Sequence, residues 1–273
     1  MTLPNAISAP TGTPGSVQHP RDPARPEPLL RALSLTRRFG GLTAVNGVWL
    51  DLQQGELHAV IGTNGAGKST LINMLSGELP PSSGRIELAG IDISAWSQPR
   101  RARAGVGRSY QRTTIFPALS VFENTRLCAQ AGKQWPWALW QAAEGCATSR
   151  DAAERALHAV GLADAAQRPA GALSHGQQRQ LEIAMCLATD PRVLLLDEPL
   201  AGMGAEETER MLALLIGLKR SHALLLVEHD MDAVFRIADV ITVMVNGEVI
   251  ASDVPDVIRT HPAVLVAYLG EAH

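Results

Sequence analysis

Residues 57–75 constrain this chain more than any other stretch. Ala59-Val60-Ile61 is a short apolar run suited to a buried strand. Gly62-Thr63-Asn64-Gly65-Ala66-Gly67-Lys68-Ser69 then spells the pattern G-x-x-x-x-G-K-[ST], with Thr70 directly after it. Leu71, Ile72, Met74 and Leu75 follow at spacings that fit a helix packed on a core. Strand, glycine loop and helix in that order form a phosphate cradle. Glycines let the backbone wrap an anion, and the helix N-terminus offers unpaired N–H groups and partial positive charge. In this pattern Lys68 reaches the β- and γ-phosphates of a nucleotide, and Ser69 offers its hydroxyl to Mg²⁺.

The rest of the chain must supply a core for that loop. It has 273 residues, 46 % of them hydrophobic, enough for one large domain or a domain with a subdomain. A formal net charge of −3 gives no nucleic-acid footprint. Cys128, Cys146 and Cys186 are odd in number and lack metal-ligand spacing, so they read as reduced thiols. No apolar run approaches the ~18 residues needed to cross a bilayer, and no signal-peptide segment is visible. The expectation is a cytosolic protein unless another chain brings it to a membrane.

Residues 1–28 hold seven of the 17 prolines and no aromatic residue, the composition of a disordered tail. The folded part is expected over 29–273. Leu33 to Arg37, Gly47 to Leu52 and Arg85 to Leu88 read as strands, the last after a Ser82-Ser83-Gly84 turn. Residues from about 112 to 190 read as mostly helical, with a helix over Asp151 to Val160 and a break at Trp135-Pro136-Trp137. The tryptophans there suit either packing of a helical subdomain or a surface site. Val193–Leu196, Ala223–Val227 and Val240–Val245 are continuous apolar strands, and Glu206 to Leu218 fits an amphipathic helix between them. Such alternation predicts an α/β fold with a mostly parallel sheet covered on both faces.

Two further segments carry chemistry. The strand Val193–Leu196 runs into Asp197-Glu198, which places two acids at the carboxyl edge of the sheet. Asp197 suits a Mg²⁺ ligand, through water. Glu198 suits the group that orients or deprotonates the attacking water. Leu173-Ser174-His175-Gly176-Gln177-Gln178 opens with an S-x-x-Q capping box formed by Ser174 and Gln177. It reads either as an ordinary helix start or as a second anion-binding N-terminus, at which Ser174 and the Gly176 amide meet a phosphate.

With those elements in place, the chain resembles ABC-type ATPases over about residues 29–270. Leu173 to Gln178 resembles their signature motif. Phe39, 23 residues before Gly62, is similar to the aromatic residue that stacks on adenine. Gln111, in Arg108-Ser109-Tyr110-Gln111, resembles the Q-loop glutamine, a contact to the nucleotide and its Mg²⁺. His229, in Val227-Glu228-His229-Asp230, resembles the switch histidine that meets the γ-phosphate. Taken alone, Phe39 also suits a core aromatic and His229 a strand-end residue. The finer resemblance is to the ATP-binding subunits of branched-chain amino acid importers. It rests on Phe39-Gly40-Gly41-Leu42-Thr43-Ala44-Val45, Gly107 to Arg112, Val227 to Met231 and Ala267-Tyr268-Leu269-Gly270.

The resemblance implies a P-loop NTPase of ABC type, with an antiparallel β subdomain and a helical subdomain beside the parallel core. It implies ATP and Mg²⁺ as ligands and a catalytic set of Lys68, Ser174, Gly176, Gln177, Glu198 and His229. A second ATP-binding subunit, itself or a paralogue, would face it head to tail. Polytopic permeases would follow its motion, with a periplasmic binding protein acting indirectly. Importers of urea and short amides use similar subunits. Soluble ATPases of cofactor assembly and lipopolysaccharide exporters share part of the pattern. Arg100, Arg101, Arg103, Arg108 and Arg112 form a basic run that reads either as a permease-docking patch or as a solvated face. Two positions depart from the family. His175 stands where a glycine is commoner, with its side chain expected to turn away from the nucleotide. Ala201-Gly202-Met203-Gly204 lacks the Asp or Asn that ends the D-loop.

Overall fold

The computed structural model describes residues 27–110, 114–133 and 147–269. The expected tail, Gln111, Arg112, Cys146 and the tryptophans of 135–140 fall wholly or mainly outside that set.

The chain runs β1 (Leu30–Phe39), β2 (Leu42–Leu52), β3 (Leu57–Gly62), α1 (Lys68–Ser76), β4 (Ser83–Leu88), β5 (Ile91–Asp92), α2 (Gln98–Arg103) and β6 (Val106–Arg108). The helices α3 (Val121–Lys133), α4 (Ala147–Ala159) and α5 (His175–Leu187) follow. Then come β7 (Val193–Asp197), α6 (Ala205–Lys219), β8 (Ala223–Val227), α7 (Met231–Ile237), β9 (Val240–Val245), β10 (Glu248–Asp253), α8 (Pro255–Thr260) and α9 (Pro262–Leu269). No helix among the described residues is long and apolar enough to cross a membrane.

Two sheets form. One is antiparallel, in the order β2-β1-β4-β5. The other has the order β10-β9-β3-β8-β7-β6 and is parallel except for β10, which pairs antiparallel with β9. Every residue of β3, β7 and β8 is buried, as mainly apolar strands covered on both faces should be, and the polar exception inside β3, His58, is paired with Thr242 Oγ1 at 2.7 Å. Period-two alternation divides them between two cores. Leu57, Ala59, Ile61, Leu194, Leu196, Leu224 and Leu226 face α3–α7. Val60, Val193, Leu195, Leu225 and Val227 face α1 and the antiparallel sheet. Helix α1 therefore lies between the sheets, with Leu71, Ile72, Met74 and Leu75 in the second core. The phosphate loop at its N-terminus is held from both sides.

The basic run does not behave as one surface. Arg101 is 1 % exposed. Its guanidinium donates to the carbonyls of Met74 (2.7 Å), Leu75 (2.9 Å), Ser94 (2.9 Å) and Trp96 (3.2 Å). It closes the C-terminal end of α1, where unpaired carbonyls and the negative end of the helix dipole favour a cation. Burial pulls its pKa down to about 10. Arg101 is thus neither a docking residue nor part of a solvated face. Arg100 stacks on Trp96 at 4.0 Å, Arg103 is exposed, and Arg108 turns into the sheet edge.

Candidate nucleotide site

The phosphate loop leaves β3 at Gly62 and enters α1 at Lys68. Gly62, Gly65 and Gly67 all have positive φ (154°, 77° and 98°). At Gly67 glycine is required twice over: φ is left-handed, and a Cβ would lie 2.4 Å from the Ala44 carbonyl oxygen. A Cβ on Gly62 would lie 2.1 Å from the Met244 carbonyl oxygen. These contacts press the loop between β2 and the end of β9. Gly67 caps α1 without any side-chain bond, so the amides of the first turn are presented bare to an anion. Lys68 curls back over the loop and donates to the carbonyls of Gly62 (2.6 Å) and Thr63 (3.0 Å). Burial lowers its pKa, and Glu198 and Asp197 oppose that shift. Asn64, Gly65 and Ser69 are exposed, while Thr63 and Thr70 are half-buried and Ala66 is buried.

Phe39 closes β1 and pairs with Leu42 across the hairpin. Two and three residues past Leu42, Ala44 and Val45 touch the Gly67 position, so the hairpin tip lies beside the phosphate loop. Phe39 is 45 % exposed with Arg37 over its ring at 4.7 Å. A core aromatic would not stand so far out of the protein.

The two acids end β7, as the sequence suggests. Asp197 is buried, and that burial raises its pKa, offset by Arg108, whose Nη2 lies 3.5 Å from Oδ2. Glu198 holds a left-handed backbone at φ 49°. A non-glycine residue there costs of order 1 kcal/mol, a strain that accumulates at functional sites. The sheet ladder holds it: the Glu198 N–H donates to the Val227 carbonyl at 2.9 Å. His229, 31 positions later, comes within 3.8 Å of Glu198 through Nδ1. Adjacent strands β7 and β8 thus bring the two together at one sheet edge.

The third segment forms the full capping box. Ser174 Oγ accepts the Gln177 N–H at 3.3 Å, and Gln177 Oε1 accepts the Ser174 N–H at 3.1 Å. The Gln177 carbonyl is therefore spent on the cap. Ser174 also donates to Glu207 Oε1 at 2.9 Å. Gly176 is buried beneath that carboxylate. His175 donates from Nε2 to the Ala201 carbonyl at 3.1 Å, turning toward the loop after β7. Gly204 caps α6 without a side-chain bond, and Glu206 and Glu207 supply negative charge in that helix's first turn.

Sequence reasoning missed several supports of this site. Glu228, 1 % exposed, accepts the Leu200 N–H at 2.8 Å and the His229 N–H at 3.1 Å. It fixes the loop after Glu198 and the start of the His229 segment with one carboxylate. Burial raises its pKa, and those backbone N–H groups oppose the rise. On α5, Arg179 donates to the Tyr110 carbonyl and to Glu182, both at 2.9 Å, and Glu182 accepts the Thr114 N–H at 2.9 Å. This buried pair ties the signature helix to residues on both sides of 111–113. A Glu or Arg in a helix amphipathic pattern gives no such signal. Glu228, an acid closing an apolar strand, did give one.

Residues 45–201 match the family model described as ABC transporter. The chain belongs to that family. Residues 248–273 match a second model, the branched-chain amino acid ATP-binding cassette transporter. Over 253 residues the chain is 42 % identical to the high-affinity branched-chain amino acid transport ATP-binding protein BraF of Pseudomonas aeruginosa, covering 90 % of this chain and 99 % of BraF. The corresponding protein LivG of Escherichia coli is 39 % identical over 255 residues, with the same two coverages. The ADP conformation of an ABC transporter's ATP-binding cassette superposes with a TM-score of 0.79 at 28 % identity, covering 89 % of this chain and 98 % of that one. A nucleotide-free cassette gives 0.78, also at 28 % identity, covering 88 % and 98 %. The chain is therefore an ATP-binding cassette ATPase, an α/β protein with a mixed, mainly parallel sheet and an antiparallel sheet beside it.

Proposed function

We propose that this cassette is the ATP-hydrolysing subunit of a membrane importer for branched-chain amino acids. The observation that carries the reading is similarity to BraF and LivG over 99 % of each, together with the C-terminal match at 248–273. The subunit would work at the cytoplasmic face of the membrane, bound to polytopic permeases that a periplasmic binding protein loads.

The residues suit each step. The bare amides of α1 and Lys68 bind the polyphosphate, and Phe39 stacks on adenine. Ser69 in the first turn of α1 and Asp197 at the end of β7, a hydroxyl and a carboxylate, suit a hard divalent cation, with Gln111 assigned to the same cation by resemblance. Mg²⁺ bound there would neutralise charge on the β- and γ-phosphate oxygens. Glu198 takes a proton from the attacking water, and His229 contacts the γ-phosphate and holds Glu198 in line. Ser174 and Gly176 serve the ATP of a facing cassette. The γ-phosphate is then part of the interface, and its loss shifts the pair from closed to open. The permeases follow that shift.

Phe39→Ala should weaken ATP affinity by about 1 kcal/mol, the scale of an aromatic stacking contact, with little change in thermal stability because the residue stands at the surface, 45 % exposed. Titration with a fluorescent ATP analogue reads the first quantity and calorimetry the second. Unchanged affinity rejects the stacking role. The transported solute is tested by uptake in a strain lacking this chain. Leucine, isoleucine and valine uptake should fall, and the wild-type chain should restore it where Glu198→Gln does not. Intact uptake of all three, with loss of urea or short-amide uptake, would reassign the importer.

A further inference from the structure

We propose that Glu207 is an internal competitor for the phosphate site at the start of α5, and that it sets the ATP concentration at which two cassettes close. The inference rests on the reading of Ser174 and Gly176 as contacts to a facing ATP. Ser174 Oγ donates to Glu207 Oε1 at 2.9 Å. A Cβ built on Gly176 would meet the Glu207 carboxyl carbon at 2.7 Å and its oxygens at 2.8 and 3.0 Å. A carboxylate of the same chain thus covers both residues that would hold the γ-phosphate. Ser174 has one O–H, and Glu207 already receives it. A phosphate oxygen can take that proton only after the carboxylate has moved, and the two anions repel while both are near.

The Glu207 side chain can leave Ser174 while its helix stays in place, with Met211, Leu212 and Leu215 held in the core. That helix follows Gly202, whose φ is 75°, and Gly204, which caps α6 with no side-chain bond. His175, next to Ser174, donates to the Ala201 carbonyl in the loop before α6. Glu207 stands in the first turn of α6, so release of its contact with Ser174 leaves its charge at a favourable helix N-terminus. The exchange is a population shift: ATP draws the pair toward the state in which Ser174 faces nucleotide. A contact closed two-thirds of the time raises the apparent ATP constant about threefold.

The test uses the cassette pair as it co-purifies from cells, with this chain as wild type, Glu207→Gln or Glu207→Asp. Glutamine removes the charge. Aspartate keeps the charge at α6 but is one methylene too short to reach Ser174. Both should lower the KM for ATP about threefold or more with kcat within twofold of wild type. A purely structural role for Glu207 would instead lower the melting temperature and leave KM unchanged or raised. An unchanged or raised KM in either variant overturns the proposal. Ser174→Arg in the same preparation separates the two layers. If it abolishes turnover while the Glu207 variants leave KM unchanged, the competitor is wrong and the reading of Ser174 stands. If it leaves turnover intact, the reading of Ser174 itself falls.

Discussion

Replacing Glu198 with glutamine should leave ATP binding within about twofold of wild type and reduce hydrolysis about 10²-fold or more, the range for a positioned general base. The substitution is close to isosteric, so the strained backbone at φ 49° and the N–H bond to Val227 persist. What changes is the capacity to accept a proton from water. In the proposed role Glu198 has three neighbours. His229 lies 3.8 Å away, Lys68 and Glu198 interact electrostatically, and Glu228 pins the loops on either side. Loss of the negative charge also removes one of the groups that oppose the lowered pKa of Lys68. Steady-state phosphate release reads the rate and equilibrium nucleotide titration reads the binding. A rate near wild type would move the base elsewhere.

The fold was legible where one periodicity ruled a whole element. β7 up to Asp197 and β8 are unbroken apolar runs, β9 is interrupted by Thr242 alone, and both faces of the first two are buried, so their bounds agree with the sequence reading to within a residue. β1 was read only as Leu33 to Arg37, although it spans Leu30–Phe39. Its pairing with β2 shifts register between Ala32 and Leu35 and again near Arg37, and Ser34 takes φ 51°. Such bulges break the alternation on which strand recognition depends. The β9–β10 hairpin was missed despite a direct signal. Asn246-Gly247 joins the strands with φ values of 49° and 85°, as a type I′ turn requires.

The candidate site divides the same way. Local motifs gave the glycine loop, the two acids and the capping box, because each needs only neighbours in sequence. Supports built from distant residues were invisible: Glu207 on Ser174 is 33 positions away, and Glu182 holds the N–H of Thr114 from 68 positions away. Arg101 misled because a basic run reads as surface, whereas its guanidinium is used to terminate α1 inside the protein.

The second large effect is expected at two residues that share no contact in the described chain. Lys68→Ala should bring hydrolysis close to background, because it removes the ammonium, held over the Gly62 and Thr63 carbonyls, that the proposal assigns to the phosphates. Ser174→Arg should do the same from the opposite side, by filling the N-terminus of α5 that Ser174 caps. Folding should survive both, since Lys68 bonds only loop carbonyls and Ser174 is exposed. Each loss is expected to be on the order of 10²-fold, as for removal of a preorganised group that stabilises developing charge.

The two variants together test the central claim, that each ATP is served by two cassettes. In a head-to-tail pair, one site of a mixed dimer carries both defects and the other joins an intact Lys68 to an intact Ser174. Equal mixing with free exchange makes about half the dimers mixed, so activity should return to roughly a quarter of wild type if the sites act independently. The measurement is phosphate release from Lys68→Ala and Ser174→Arg cassettes, alone and mixed, run with and without the paralogous partner cassette where one co-purifies. Recovery toward a quarter of wild type is the result this account predicts. No recovery under either condition would mean that each chain builds its own site, and would contradict it.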